Sequence, residues 1–476
     1  MVDGNSQPDA TEPADGGAAS TALAVAATDA AGGAPPARRT ARAGGSAWAA
    51  LRRLAGMNKL GLRLGRSCPS PIGIDVGTRS VKAVQLERVV GPRRPAAAGG
   101  DVRGVGDQGQ DAPGATSAGG DAGRWRVAAA LSVPRTEASP VMGAAEAARL
   151  AEVLERQGFV GQAVVLGVPG DRLLTSVLEL PPRSSQAPIE QLARVELARA
   201  HKCAPEAMEM GCWDLPAPVR ASRATHVMAV ACTHAAAEAV LAPFEAAGLD
   251  VRAMDVKDCA IARAVAALGG AGEGVGTGTG AEAGPPGAGI TAILDLGWGA
   301  ASLSLLHGGV IVYSRSIAEA GVGRLHEALS RRLRVEGDVV DYLLNDGNLF
   351  ADESDPANEG PSAAGGETEG EVGAGWETPD EARRVAAGHA EGLARELMVS
   401  FSYVTHQYPS APVRRLLVVG GGGSLAGLAE HLAALLAVPC HALAPADVAD
   451  CPPALAALAR SAALTAAAGL AMFPDV

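Results

Sequence analysis

Twice in this chain a short apolar run ends in Asp-x-Gly, passes through small residues and turns into a second strand. The first case is Ile72-Gly73-Ile74-Asp75-Val76-Gly77-Thr78-Arg79-Ser80-Val81-Lys82, and the second is Ala292-Ile293-Leu294-Asp295-Leu296-Gly297-Trp298-Gly299. Glycine lets backbone N–H groups approach an anion closely, so such a hairpin forms a nest for phosphate oxygens. A carboxylate at each strand end can hold a hydrated Mg²⁺, which keeps several waters and takes few protein ligands. Lys82 adds a point charge, and Thr78 and Ser80 add hydroxyl donors. Either turn alone is most simply an ordinary hairpin. Their recurrence at the starts of two α/β stretches points to phosphate binding between two lobes, with Asp75, Gly77, Thr78, Ser80, Lys82, Asp295, Gly297 and Gly299 as the contacts.

A chain of 476 residues supports more than one lobe, because single cores stop growing at roughly 250 to 300 residues. With 48% hydrophobic residues, only 3% aromatics and 61 glycines, the cores have to be built from Ala, Val and Leu. The net charge of -12 argues against a nonspecific nucleic-acid partner, since displacing counterions from phosphates takes a positive surface. The seven cysteines show no CxxC pair and no neighbouring histidine cluster, which fits reduced core thiols. The start, MVDGNSQPDATEPADGG, is acidic where a secretory leader is positive, and no run reaches the roughly 18 apolar residues of a membrane span. A cytoplasmic location follows as the expectation.

The chain divides by composition. Residues 1–68 read as a disordered tail ending in a basic segment at 47–66. That segment is either a solvated linker or a short amphipathic helix on an anionic membrane. Regular strand and helix patterns begin near residue 69, with a Gly-rich insert at about 91–123, a flexible stretch at 269–289 and an acidic, Gly-rich insert at about 351–380. Between them lie helices expected at 144–157, 187–201, 234–247, 258–268, 321–333, 381–407, 425–436 and 454–471.

Three further runs carry a resemblance. They are Leu417 to Leu428 (LVVGGGGSLAGL), Glu396 to Tyr403 (ELMVSFSY), and the pattern from Gly248-Leu249 through Asp255-Val256 to Ala260-Ile261-Ala262-Arg263. With the two Asp-x-Gly turns, and with Leu178-Glu179-Leu180-Pro181-Pro182, they resemble the PilM family of type IV pilus assembly proteins, related to FtsA, over roughly residues 70–472. The resemblance implies an actin-like two-lobed α/β fold with duplicated ribonuclease H-like halves and an inserted 1C subdomain. It divides the chain into a first lobe at 69–141 and 229–268, the 1C insertion at 142–228, and a second lobe at 290–476. It implies ATP and Mg²⁺ as ligands, with the metal at Asp75 and Asp295, adenosine against Gly420, Gly421 and Gly422, and ribose against Glu396 and Ser400. The implied partner is the cytoplasmic tail of PilN, which places the protein at the inner face of the inner membrane through its partners; self-association is compatible with the fold.

Two positions depart from the family pattern: Trp298 replaces a small residue and Ala301 a Thr. Trp298 reads either as a core side chain under the loop or as a lid narrowing the cleft. The helix that orients water in actin appears here as Ala260-Ile261-Ala262-Arg263-Ala264-Val265, without Gln or Glu, so binding without rapid turnover is expected. The rival reading is an active small-molecule kinase or ATPase of the same fold. An FtsA-like membrane filament would carry a carboxy-terminal amphipathic helix, which the end of this sequence lacks.

Overall fold

The computed structural model describes residues 68–89, 124–136, 139, 141–217, 224–270, 289–350 and 379–474. The expected tail with its basic segment 47–66, the insert at 91–123 and most of the other two inserts lie outside the described residues. The first half begins with β1 (Cys68–Pro69), β2 (Ile72–Val76), β3 (Ser80–Val89), β4 (Arg124–Pro134), helix α1 (Ala144–Arg156) and β5 (Ala163–Val168). A separate unit follows, made of β6 (Leu173–Leu180), α2 (Ile189–Ala200), β7 (Met208–Asp214) and β8 (Thr225–Thr233). The chain then returns through α3 (His234–Ala246), β9 (Asp250–Val256) and α4 (Lys257–Gly270). The second half comprises β10 (Ile290–Leu296), β11 (Ala301–His307), β12 (Val310–Ile317), α5 (Val322–Leu333), α6 (Gly337–Asp346), α7 (Pro379–Gln407), β13 (Val413–Val419), α8 (Leu428–Leu436) and β14 (Cys440–Ala442), and the chain ends in α9 (Thr465–Ala471).

The two halves share one topology. In the first, the order is β4-β3-β2-β5-β9, with antiparallel pairing up to β2 and parallel pairing beyond it. In the second, β12-β11-β10-β13-β14 repeats that order and those directions. The central strands β2 and β10 are buried almost throughout. Strands covered by helices on both faces read as continuous apolar runs, and these two do. Their carboxylates therefore come at the ends of the most rigid strands in each half.

Separate cores fill the two halves, and a third joins them. The joining core packs Val84, Leu86 and Val127 of the first sheet and Ile293 and Leu417 of the second around Ile261 of α4 and the Ala466-Ala467-Ala468 run of α9. Small residues permit this close approach. A Cβ at Gly73 would lie 2.1 Å from the Ala467 carbonyl oxygen, and one at Gly469 would lie 2.0 Å from that of Ala260. Helix α9 thus rests directly on β2 and α4, fixing the strand that carries Asp75. Each large aliphatic side chain fully buried in these cores contributes roughly 1.5–3 kcal/mol.

Three expectations change. The inserted unit starts near residue 173 rather than 142, because β5 pairs with β2 and β9 and α1 packs on the first sheet through Ala147, Leu150 and Leu154. Only β6, β7, β8 and α2 form the separate three-stranded unit with its own small core. The final helix expected at 454–471 is broken into short turns before α9, with an 84° bend between Pro453–Ala459 and Ala462–Ala471. No single helix among the described residues is long and apolar enough to cross a membrane, and this bent pair is packed in the joining core. Strand β7 and helix α6 had no counterpart in the sequence reading.

Candidate functional site

Both Asp-x-Gly turns open on one cleft of about 800 Å³ between the halves. Ten of the thirteen residues assigned to nucleotide contacts line it: Asp75, Gly77, Thr78, Ser80, Lys82, Asp295, Gly297, Gly299, Gly420 and Gly421. In the first hairpin Asp75 stands opposite Lys82 in register, and the Lys82 Nζ lies 3.8 Å from Asp75 Oδ2. The turn closes through Gly77 N–H donating to the Ser80 carbonyl at 3.0 Å. From beneath, the buried Arg135 guanidinium donates to the Gly77 carbonyl at 3.2 Å while paired with Glu146 at 2.9 Å.

The second hairpin is built alike, with Gly297 N–H donating to the Ala300 carbonyl at 3.1 Å, and Asp295 standing opposite Ser302. Its turn carbonyls are used by the start of α5: Val322 N–H donates to Gly297 and Gly323 N–H to Trp298. Trp298 combines the two roles read from sequence. It packs on the second core, lines the cleft, and carries the Arg79 guanidinium 4.2 Å above its ring. Arg79 also reaches across to Asp341 on α6 with hydrogen bonds of 2.8 and 2.9 Å, so the mouth of the cleft is bridged. That contact lowers the Asp341 carboxyl below the ordinary aspartate range.

The loop after β13 explains its glycines. Gly420 has φ of +80°, and a Cβ there would lie 2.3 Å from Asp295 Oδ1. Gly422 is a correction: it lies outside the cleft lining, buried against Leu296, where a Cβ would come within 2.3 Å of that side chain. Glu396 and Ser400 also lie outside the cleft lining. Glu396 pairs with Arg315 at 2.7 Å, and Ser400 donates to the Glu396 carbonyl while receiving the Tyr313 hydroxyl at 3.5 Å. The end of α7 faces a different cavity, of about 520 Å³, through Tyr403 and His406.

Among the cleft residues that the sequence did not single out are two adjacent charged ones at the start of α4. Lys257 begins α4 and its Nζ lies 2.6 Å from Asp295 Oδ2, across the divide between halves. Burial works to lower its pKa, but the carboxylates of Asp295 and Asp75 outweigh that and hold the ammonium well above the ordinary lysine value. Next to it, buried Asp258 accepts from Ser304 at 2.6 Å, Ser314 at 3.1 Å and Ser302 at 3.3 Å. Burial pushes its carboxyl up against the opposing effect of the Ser304 and Ser314 hydroxyls and the Lys257 charge, and the charge of Asp295 adds to the rise. The signal available was a lysine and an aspartate directly after the Asp-Val that closes β9. The family-like Asp255 and Arg263 prove to be a buried ion pair at 2.7 Å, with Arg263 also donating to the Gly469 carbonyl at 2.6 Å. They lock α4 to α9 and do not line the cleft.

The expected magnesium site does not fit this donor set. Each of the two carboxylates assigned to the metal already has an ammonium beside it, Lys82 at Asp75 and Lys257 at Asp295. Among the described residues no group of three or more His, Cys, Asp or Glu is arranged to hold a metal ion.

No protein-family model and no curated protein matches this chain. Among solved structures, a chain of the PilM–PilN type IV pilus biogenesis complex aligns 98% of its length with 85% of this one, at 18% identity and a TM-score of 0.57. The ethanolamine utilization protein EutJ from Carboxydothermus hydrogenoformans covers 89% of this chain and 97% of its own at 14% identity, with a TM-score of 0.42. MreB5 of Spiroplasma citri bound to ADP covers 85% of this chain and 95% of its own at 12% identity, with a TM-score of 0.40. With two halves of one topology, a cleft between them and this overlay on a PilM–PilN chain, the protein has the actin-like fold that the sequence resemblance implied.

Proposed function

We propose that this protein is a nucleotide-binding scaffold of the PilM type, which holds ATP between its halves and docks the cytoplasmic tail of a PilN-like inner-membrane protein. The observation that carries the nucleotide reading is the convergence of both phosphate hairpins on one cleft, with Lys82 and Lys257 at its floor. A polyphosphate touching both hairpins stabilises the closed arrangement by mass action, with no hydrolysis required. Gly420 and Gly421 form the wall against which the nucleoside lies in this reading. Thermal unfolding tests it. ATP at a hundredfold excess over Kd adds about 2.7 kcal/mol of stability, seen as a raised Tm. A Lys82→Ala/Lys257→Ala double variant, assayed without a divalent cation, is expected to lose that rise, and equal ATP shifts in the variant and the wild type refute the site.

For the partner we propose the three-stranded unit as the docking surface, with β6 as its outer edge and Val177 55% exposed on it. An extended peptide gains backbone hydrogen bonds from such an edge and specificity from alternate side chains. Excising residues 142–228 would remove β5 from the middle of the first sheet, so a surface substitution is the better probe. Val177→Asp is expected to abolish capture of a PilN-type tail peptide while leaving the ATP shift intact.

Asp258 is the specific observation that favours a second reading, an ATPase, since it brings a buried carboxylate with a raised pKa to the cleft. Its Oδ2 is already engaged by three serine hydroxyls, and Ala301 offers no hydroxyl, so slow turnover is expected. Phosphate release by the wild type should fall well below about 1 per second, the low end for ordinary enzymes. Faster release that disappears in Asp258→Asn favours the ATPase.

A further inference from the structure

The second hairpin lacks the cation that the first contains. In register Asp75 faces Lys82, but Asp295 faces Ser302. The charge that meets Asp295 arrives from the opposite half, through Lys257 at 2.6 Å. Lys257 is the first residue of α4, where a cation opposes the helix macrodipole, so local preference disfavours it and only the surrounding carboxylates hold it there. Its side chain is 32% exposed and lines the cleft, whereas that of Asp295 is 7% exposed. An ammonium has three donors, of which Asp295 engages one.

We infer that Lys257 is a built-in counter-ion of the phosphate site, supplying with Lys82 the positive charge that a divalent cation would otherwise bring, so that a nucleotide polyphosphate binds without metal. The inference rests on the nucleotide reading above and specifies its ionic form. Magnesium needs nearly octahedral oxygen ligands at short range and gives up its waters reluctantly. An ammonium hydrogen-bonded to one carboxylate and in the field of a second competes for the same oxygens and repels the incoming ion. The same ammonium offers phosphate oxygens charge-assisted hydrogen bonds. Because Lys257 and Asp295 belong to different halves, the pair also ties α4 of the first half to the second hairpin before any ligand enters.

Calorimetric titration of ATP into the full chain, in excess EDTA and in millimolar Mg²⁺, tests this directly. The wild type is expected to show dissociation constants within about threefold of each other, a difference of under 1 kcal/mol. Lys257→Ala is expected to bind at least about tenfold more weakly in EDTA and to recover with Mg²⁺. Lys257→Arg, which keeps the charge, should retain binding in EDTA. A second arm uses Mg²⁺ alone, without nucleotide. It should leave the Tm of the wild type unchanged and raise that of Lys257→Ala, where Asp295 is freed. Wild-type binding that collapses in EDTA, or a wild-type Tm raised by Mg²⁺ alone, overturns the inference. If the wild type binds no ATP under either condition the nucleotide reading fails, and the arm with metal alone still decides whether Lys257 excludes the cation.

Discussion

Arg135→Ala is expected to lower folding stability by about 3–5 kcal/mol, the range for removing one partner of a buried ion pair. The Arg135 side chain is 1% exposed and that of Glu146 is 11% exposed, with 2.9 Å between them. The guanidinium also donates to the carbonyls of Gly77, Ser139 and Val141. Deleting it leaves the Glu146 carboxylate with only the weaker support of the Thr136 N–H at 3.4 Å and the Arg149 charge, removes a donor from three carbonyls and frees the turn that carries Asp75. The hydrogen bond from Arg135 is the largest cause holding the Glu146 carboxyl below its ordinary value. A depressed carboxyl contributes stability that is present above the unfolded glutamate pKa of about 4.3 and is lost as pH falls through the lower folded value. The wild type should therefore lose stability on acidification through that window, and Arg135→Ala should lose less because the contribution is already gone. Urea denaturation at neutral pH and at steps from about pH 5 down to about pH 2 measures both effects, because the loss is complete only below the lowered folded value. A loss under about 1 kcal/mol, typical of an exposed pair, would falsify the assigned role.

What the sequence disclosed of the site was what is local. Asp75 to Lys82 is a single hairpin, so its spacing alone puts carboxylate, glycine and lysine on one turn, and the structure brings them together. Arg79 and Asp341 are 262 positions apart, and Lys257 meets Asp295 only because the halves face each other. No periodicity encodes such meetings. Strand and helix alternation was likewise legible, but it does not say which sheet a strand joins. That is why β5 was grouped with the inserted unit, and pairing with β2 decides otherwise. Glu396 and Ser400 were carried by resemblance alone, and the rotation of α7 turns them toward Arg315 and Tyr313. Lys257 left a second readable trace besides its place after the Asp-Val of β9, a cation set in a first helical turn against the dipole.

Gly420→Ala and Gly421→Ala are expected to behave oppositely although the residues are neighbours in the same loop. Gly420 sits at φ of +80° and ψ of -177°, an extended positive-φ region essentially reserved for glycine that costs a side-chain-bearing residue about 1–3 kcal/mol. A Cβ there would also stand 2.3 Å from Asp295 Oδ1 and 2.8 Å from the Leu296 carbonyl oxygen. Forcing extra volume into a packed site typically costs a further 1–3 kcal/mol or so, giving a total loss of about 2–6 kcal/mol. The atom displaced is the Asp295 carboxylate that Lys257 holds, so ATP stabilisation should fall with folding stability. A Cβ at Gly421 meets nothing within 4 Å, and Gly421 lines the cleft. Gly421→Ala should therefore fold within about 0.5 kcal/mol of the wild type, as changes away from packed features do. Its Cβ would nonetheless protrude where the proposed nucleoside lies, so its ATP shift should shrink while its unliganded Tm holds. Denaturation with and without ATP separates the two effects. An unchanged ATP shift in Gly421→Ala would move the nucleoside away from this wall, and a stable Gly420→Ala would mean that the close approach to Asp295 relaxes at little cost.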